Sequence, residues 1–277
     1  MTMRANKTRW PPALWMTLAL ALVAGGASAG GLFSRSVYQR EVLPWAAQLR
    51  GADAVNLLIA VPVLLASAIL THRGSISARM VWQGTLLLFV YNYAIYAFAV
   101  HFNLFFLAYC CVLGLSFYTL LDSLLSLSPR EVGERYGARA PVRTSAITFF
   151  LLSLAFAAEE IREIVPATLA GHPPKSVAEW GLVSNPIHVL DLSFFLPAFV
   201  IGSVLLWRRR PLAFVLAPTL MAFGLLMTVT VAGLTVAMAL EGVAGNYLGA
   251  VPFLGVAVGF SWLLVRFFRS GAVAQGK

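Results

Sequence analysis

Charge is scarce in this chain. Asp, Glu, Lys and Arg make up 11% of its 277 residues, where a soluble globular domain carries roughly 25%. That shortage excludes an ordinary soluble fold. The regular alternation of polar and apolar residues is also missing, which excludes a transmembrane β-barrel. There are two cysteines, Cys110 and Cys111, and they are adjacent. Neighbouring helix positions point in different directions, so the pair does not suit a mutual structural disulfide and reads as packing residues. No P-loop, dinucleotide-binding glycine fingerprint, HExxH or CxxC occurs.

What is present is hydrophobicity. Apolar residues account for 60% of the chain and fall in runs of about 20, long enough to cross ~30 Å of hydrocarbon as a helix. Inside lipid the backbone must satisfy its own hydrogen bonds, which leaves a helical bundle. The fold class read from the sequence is therefore all-α: one polytopic transmembrane domain over 1–277. Its partner is the lipid bilayer. The net charge of +9 reads as an orientation signal rather than as nucleic-acid binding.

Eight spans are predicted, at 13–33, 54–71, 81–100, 104–126, 145–166, 187–207, 212–238 and 249–268. The connections between them alternate between basic-rich and basic-poor. Arg4, Lys7, Arg9, Arg73, Arg79, Arg130, Arg135, Arg139, Arg143, Arg208, Arg209, Arg210, Arg266, Arg269 and Lys277 fall on one side. Only Arg35, Arg40, Arg50, Arg162 and Lys175 fall on the other. The positive-inside rule then puts both termini in the cytoplasm. Trp10, Trp82 and Trp207 are expected at the cytoplasmic interface. The first span has two readings. Basic residues precede its apolar core and Ala27-Ser28-Ala29 resembles a cleavage site, whereas Gly26 and Gly30 suit the packing face of a retained helix. The retained helix is the preferred reading.

An internal duplication is suggested at an offset of 135 residues, with four-span halves over 13–126 and 145–268. Pro62 and Pro197 lie equally far before Arg73 and Arg208, and Asn56 maps onto Asp191. Halves of the same orientation would form a parallel repeat. Coincidence among apolar helices is the competing explanation. The prolines at 62, 197, 218 and 252 each remove a backbone donor and can kink a helix.

Three polar features interrupt the spans. At the start of span six, Asn185 suits an N-cap and Pro186 the first helical position. His188 and Asp191 then share a face, with Asp191 ~9 Å into the helix. Near the end of span five lie Glu159 and Glu160, with Arg162 placed to neutralise Glu159. In span three, Asn92 and Tyr96 share a face and His101 ends the span. All lie in the predicted outer half, where buried ionisable groups default to a functional reading. Two histidines with carboxylates form a metal-competent set, and a bis-histidine haem is conceivable. No ligand-spacing motif supports either, so no metal and no cofactor is assigned.

The stretches VYNYAIYAFAVHFNLFFLAY and NPIHVLDLSFFLPAFVIGSVLLWRRRPLAFVLAP resemble an uncharacterised group of bacterial polytopic integral membrane proteins, from about Asp53 to span seven. The resemblance implies a multi-pass protein of the bacterial plasma (inner) membrane and transfers no site residue. The leading functional reading is passage of a small solute or ion, with proton coupling through Asp191. Its alternatives are a membrane-embedded metal- or haem-binding redox protein and a noncatalytic scaffold.

Overall fold

The structure is a computed structural model that describes residues 10–243 and 246–272. Among the described residues every regular element is helical. Arg4, Lys7, Arg9 and Lys277, like the side chain of Trp10, lie outside them.

Helix α1 (Trp10–Phe33) is followed by a 30-residue helical run, Leu43–His72. That run divides into α2 (Leu43–Val55), a π-helical turn at Asn56–Ala60, and α3 (Val61–His72). It begins well before the predicted position 54, because Pro44 occupies its first turn, where a missing N–H is harmless. Helix α4 (Ile76–Ala99) is capped by the Ser75 side chain, which accepts the Ala78 N–H. Then come α5 (Phe106–Leu125), the short α6 (Pro129–Tyr136) and α7 (Val142–Ala170). Gly171 ends α7 in the left-handed conformation, with φ 70°. After α8 (Lys175–Glu179), the sixth span is assembled like the second: α9 (Pro186–Leu190), a π-turn at Asp191–Phe195, and α10 (Leu196–Trp207). Helices α11 (Ala213–Leu240) and α12 (Val251–Ala272) complete the bundle.

Among the described residues, seven helical segments are long and apolar enough to cross a membrane: Pro12–Phe33, Leu43–His72, Phe106–Leu125, Val142–Ala170, Pro186–Trp207, Ala213–Leu240 and Tyr247–Gly271. Helix α4 matches them in length, but Gln83, Tyr91, Asn92, Tyr93 and Tyr96 dilute its apolarity. These polar residues are buried because α4 is the central helix, packed against α3, α5 and α11.

The two π-turns have one physical cause. Pro62 and Pro197 each stand second in the helix that follows a π-turn. A proline lacks the N–H of its turn and its ring crowds the turn before it. Widening that turn by one residue relieves the crowding and hands the Val61 and Leu196 N–H groups to the Asn56 and Asp191 carbonyls. The π-turns, the prolines and the ends of α3 and α10 all recur at a spacing of 135 residues.

Helix α4 crosses α11 at very close range. A Cβ on Gly84 would lie 2.6 Å from both the Thr219 carbonyl oxygen and the Ala222 Cβ, and beside this point Thr219 Oγ1 donates to Gln83 Oε1 at 3.0 Å. Helix α2 approaches α11 equally closely, where a Cβ on Gly51 would meet the Gly233 carbonyl at 2.8 Å. Helix α1 belongs to the same core. It packs on α2, α3 and α5, and Tyr93 Oη donates to the Ala24 carbonyl at 3.2 Å. Gly30 of α1 receives the Phe105 ring, whereas Gly26, Gly255 and Gly259 have open space where a Cβ would stand.

Side-chain contacts sort the connections into two ends. At one end Ser77 meets Tyr136, Ser270 donates to the Tyr136 carbonyl, and Arg209 reaches the Gly137 carbonyl. At the other, Glu41 accepts the His101 N–H, Trp45 Nε1 donates to the Ala99 carbonyl, and Arg50 pairs with Glu241. The first end gathers the arginines of residues 73–79, 130–143, 208–210 and 266–269. The second holds eight of the eleven carboxylates.

Two expectations need correction. Cys110 and Cys111 are exposed on the outside of the bundle and are not packing residues. Trp82 is 2% exposed in the interior, since α4 is enclosed by other helices, so it is no interfacial anchor. Trp207, at the end of α10, is exposed as an interfacial indole would be.

Candidate functional site

The acid-rich end of the bundle contains a cavity of about 470 Å³ between α2, α4, α7, α9–α10, α11 and α12. Its outer part is walled by Trp45 and Trp180, whose rings stack with centroids 5.5 Å apart. Its inner part is aromatic and aliphatic: Phe195 and Phe223 stack at 4.9 Å, and Phe199 and Phe260 lie beyond. Polar groups are concentrated on one side, around the second π-turn.

That side is built from the start of the sixth span. Asn185 Oδ1 accepts the Ile187 N–H at 3.0 Å, the N-cap expected from the sequence. Asn185 Nδ2 lies 3.0 Å from Ser176 Oγ and 3.3 Å from His188 Nε2. Glu163 accepts the Ser176 N–H at 2.7 Å and stands 3.6 Å from His188 Nε2. One turn further in, Asp191 opens the π-turn and faces Tyr91 of α4 and Glu160 of α7. Tyr91 is 1% exposed and Glu160 is 9% exposed. Asp191 is within hydrogen-bonding reach of both, but Tyr91 Oη and Glu160 Oε2 complete no hydrogen bond of normal geometry with it or with any other described residue. Such buried, unsatisfied oxygens are rare, and each calls for a ligand, a water or a proton.

Of the residues singled out from the sequence, His188, Asp191, Glu160, Asn92, Tyr96 and Glu159 all line this one cavity. Their roles differ. Glu159 is exposed and paired to Arg162, as the i, i+3 spacing predicted. Asn92 donates to Asn56 Oδ1 at 2.9 Å, tying α4 to the first π-turn. His101 does not join them. It pairs with Glu41 at 3.0 Å and borders a separate cavity with Val100 and Val189. The two histidines that could have held a metal or haem together therefore open onto different spaces. Among the described residues no group of three or more His, Cys, Asp or Glu side chains is disposed to hold a metal ion.

The sequence reading missed Asp53. Its carboxyl group is 2% exposed and accepts hydrogen bonds from Tyr38 Oη at 2.6 Å and Tyr96 Oη at 2.9 Å. The predicted second span begins at 54, eleven residues after the helix starts at Leu43, which leaves Asp53 in a connection. A signal was available: Asp53 stands three residues before Asn56, as His188 stands three before Asp191. Tyr91 is off the helix face that Asn92 and Tyr96 share, so the spacing within span three does not single it out.

Helices α1 and α5 pack along each other. At the positions related to them by the 135-residue offset, α7 and α12 meet at Phe149 and Phe260, with ring centroids 6.4 Å apart. Further out, Phe156 of α7 and Phe253 of α12 both border the cavity instead. No protein-family model, curated protein sequence or solved structure matches this chain.

Proposed function

We propose that this protein crosses the bacterial plasma membrane eight times, with both termini in the cytoplasm, and carries a small solute or ion across it. The observation that carries the reading is the pair Asp191 and Glu160. Two carboxyl groups face each other in a cavity that reaches from the acid-rich end into the interior of the bundle. Two such groups away from bulk water hold either a proton between them or a cation. A site of that kind couples solute movement to a proton, with Asp191 and Glu160 as the carrying pair and His188 and Glu163 at its outer side.

Two further features support it. The basic end of the bundle fits the cytoplasmic side of a plasma membrane, and α4, in the middle of the bundle, serves as the eighth span. The two π-turns at equal offset, with Gly84 and Thr219 at the α4–α11 crossing and themselves 135 residues apart, fit a parallel repeat of four-span halves. Paired halves around a site in interrupted helices are the usual framework for alternating access. The metal or haem reading gains no support from histidines that stand apart.

The test is flux. Purified protein in liposomes containing a pH dye is placed under an inward proton gradient and offered a panel of cationic, neutral and anionic solutes. At least one solute is expected to collapse the gradient through wild-type protein and not through Asp191→Asn. A panel that gives identical traces with protein-containing and empty liposomes would count against transport.

A further inference from the structure

We infer that the cavity binds an organic cation: a protonated amine carried on an apolar, ring-sized body. The inference deepens the transport reading and shares its site, but it stands on the cavity's chemistry alone.

Consider charge first. Among the described residues, the cavity is lined by Glu159, Glu160, Glu163 and Asp191, and by no lysine or arginine. Glu159 is neutralised by Arg162, and Glu163 is held by the Ser176 N–H beside His188. Among the described residues, Asp191 and Glu160 have no cationic partner within ion-pair distance. An anionic solute would meet unscreened repulsion there, whereas a cation supplies the missing charge.

Hydrogen bonding gives the second constraint. Tyr91 Oη and Glu160 Oε2 are buried and directed at Asp191, with no hydrogen bond of normal geometry completed between them. Carboxylate oxygens accept, and a phenol oxygen can accept as well as donate. A group bearing several N–H donors satisfies all three at once; a metal ion would need a fuller oxygen set than these side chains provide.

The rest of the cavity defines the remainder of the molecule. Tyr91, Phe195 and Phe223 form a connected aromatic wall, with Tyr91 edge-on to Phe195 at 4.8 Å. Aromatic faces attract a cation and the apolar surface beyond accepts a hydrophobic body. A sugar or other polyhydroxylated solute would leave its hydroxyls unpaired against Phe199, Phe260 and Met227. The excess of carboxylates at this end also steers cations toward the mouth.

Three probes that share one phenethyl body isolate the charge: 2-phenylethylammonium, the neutral propylbenzene and the anionic 3-phenylpropanoate. Binding of radiolabelled 2-phenylethylammonium to detergent-purified protein is measured by equilibrium dialysis at pH 7, with each unlabelled compound as competitor. We expect saturable binding, competition by the unlabelled amine, and at least tenfold weaker competition by the other two. Glu160→Gln and Asp191→Asn should each weaken binding at least tenfold while the protein stays monodisperse. Equal competition by the anion or the neutral compound overturns the inference, and so does unchanged affinity in the double variant. The competition series needs no variant, so a misfolded mutant cannot shelter the idea. Cation binding without flux would refute transport and leave this site standing. Proton-linked flux of a neutral or anionic solute without cation binding would do the reverse.

Discussion

Replacing Gly84 with alanine places a methyl group where α4 crosses α11. The new Cβ would lie 2.6 Å from the Thr219 carbonyl oxygen and 2.8 Å from the Phe223 nitrogen. Both are backbone atoms of a helix and cannot swing aside. Comfortable contact needs about 3.5 Å, so the two helices must part by roughly 1 Å. Overpacking of this kind costs about 1–3 kcal/mol. Separation also strains the Thr219–Gln83 hydrogen bond, worth about 1 kcal/mol. Alanine recovers about 1 kcal/mol of helix propensity. The net loss is about 1–3 kcal/mol, or a fall of roughly 3–10 °C in thermal midpoint. Gly114 in α5 is the control, because nothing lies within 4 Å of its Cβ position. Gly114→Ala should leave the midpoint unchanged or raise it. The assay is thermal unfolding of the detergent-purified proteins, side by side. Midpoints that shift equally in the two variants would refute the close crossing, and with it the placement of the cavity between α4 and α11.

Other expectations follow from the same geometry. Tyr96→Phe removes a donor from the buried Asp53 carboxyl group and should destabilise by about 1–3 kcal/mol. Tyr91→Phe removes a hydroxyl that faces Asp191 without a hydrogen bond of normal geometry, so it should cost less stability than Tyr96→Phe while weakening amine binding; denaturation and dialysis on the two variants check this. Arg50 and Glu241 join the middle of α2 to the end of α11. A double-mutant cycle with Arg50→Gln and Glu241→Gln should give a coupling of about 1 kcal/mol, reduced by added salt. Tyr38 lies outside the spans, and burial, with Tyr96 and Asp53 adding to it, holds its phenol well above the ordinary 10.0. The unfolded chain gives up that proton near pH 10 while the folded chain keeps it, so stability falls as pH rises past about 10. Denaturation between pH 9 and 11 should show a shallower decline in Tyr38→Phe.

Much of the bundle was legible in the chain because lipid imposes long apolar runs and the cations alternate between its ends. Helix starts were less so: Leu43–Val55 carries Gln48, Arg50 and Asp53, and reads as a loop until α11 is seen to cover it. The Asn185–Asp191 segment was readable from its cap and its ionisable pair, since both signals are local. The Asp191–Glu160–Tyr91 meeting was not, because three different helices supply it. Pro62 and Pro197 announced interruptions. That each would be a π-turn aiming Asn56 and Asp191 toward α4 depends on packing around α4, which no single span encodes.

The cation-attracting cavity enters from the acid-rich end and reaches mid-bundle. Met227 lines it, 13 residues from the outer end of α11 and so ~20 Å deep. Its direct test is the reaction of Met227→Cys, with Cys110 and Cys111 replaced by serine, in intact cells. The reagents are two membrane-impermeant methanethiosulfonates of similar size, one carrying a trimethylammonium group and one a sulfonate. Labelling from outside is expected, with a cationic-to-anionic rate ratio at least tenfold above the ratio the two reagents show toward a free thiol in solution, and with the cationic reagent slowed by 2-phenylethylammonium. No labelling, or a ratio equal to that of the free thiol, would contradict a cation-attracting cavity.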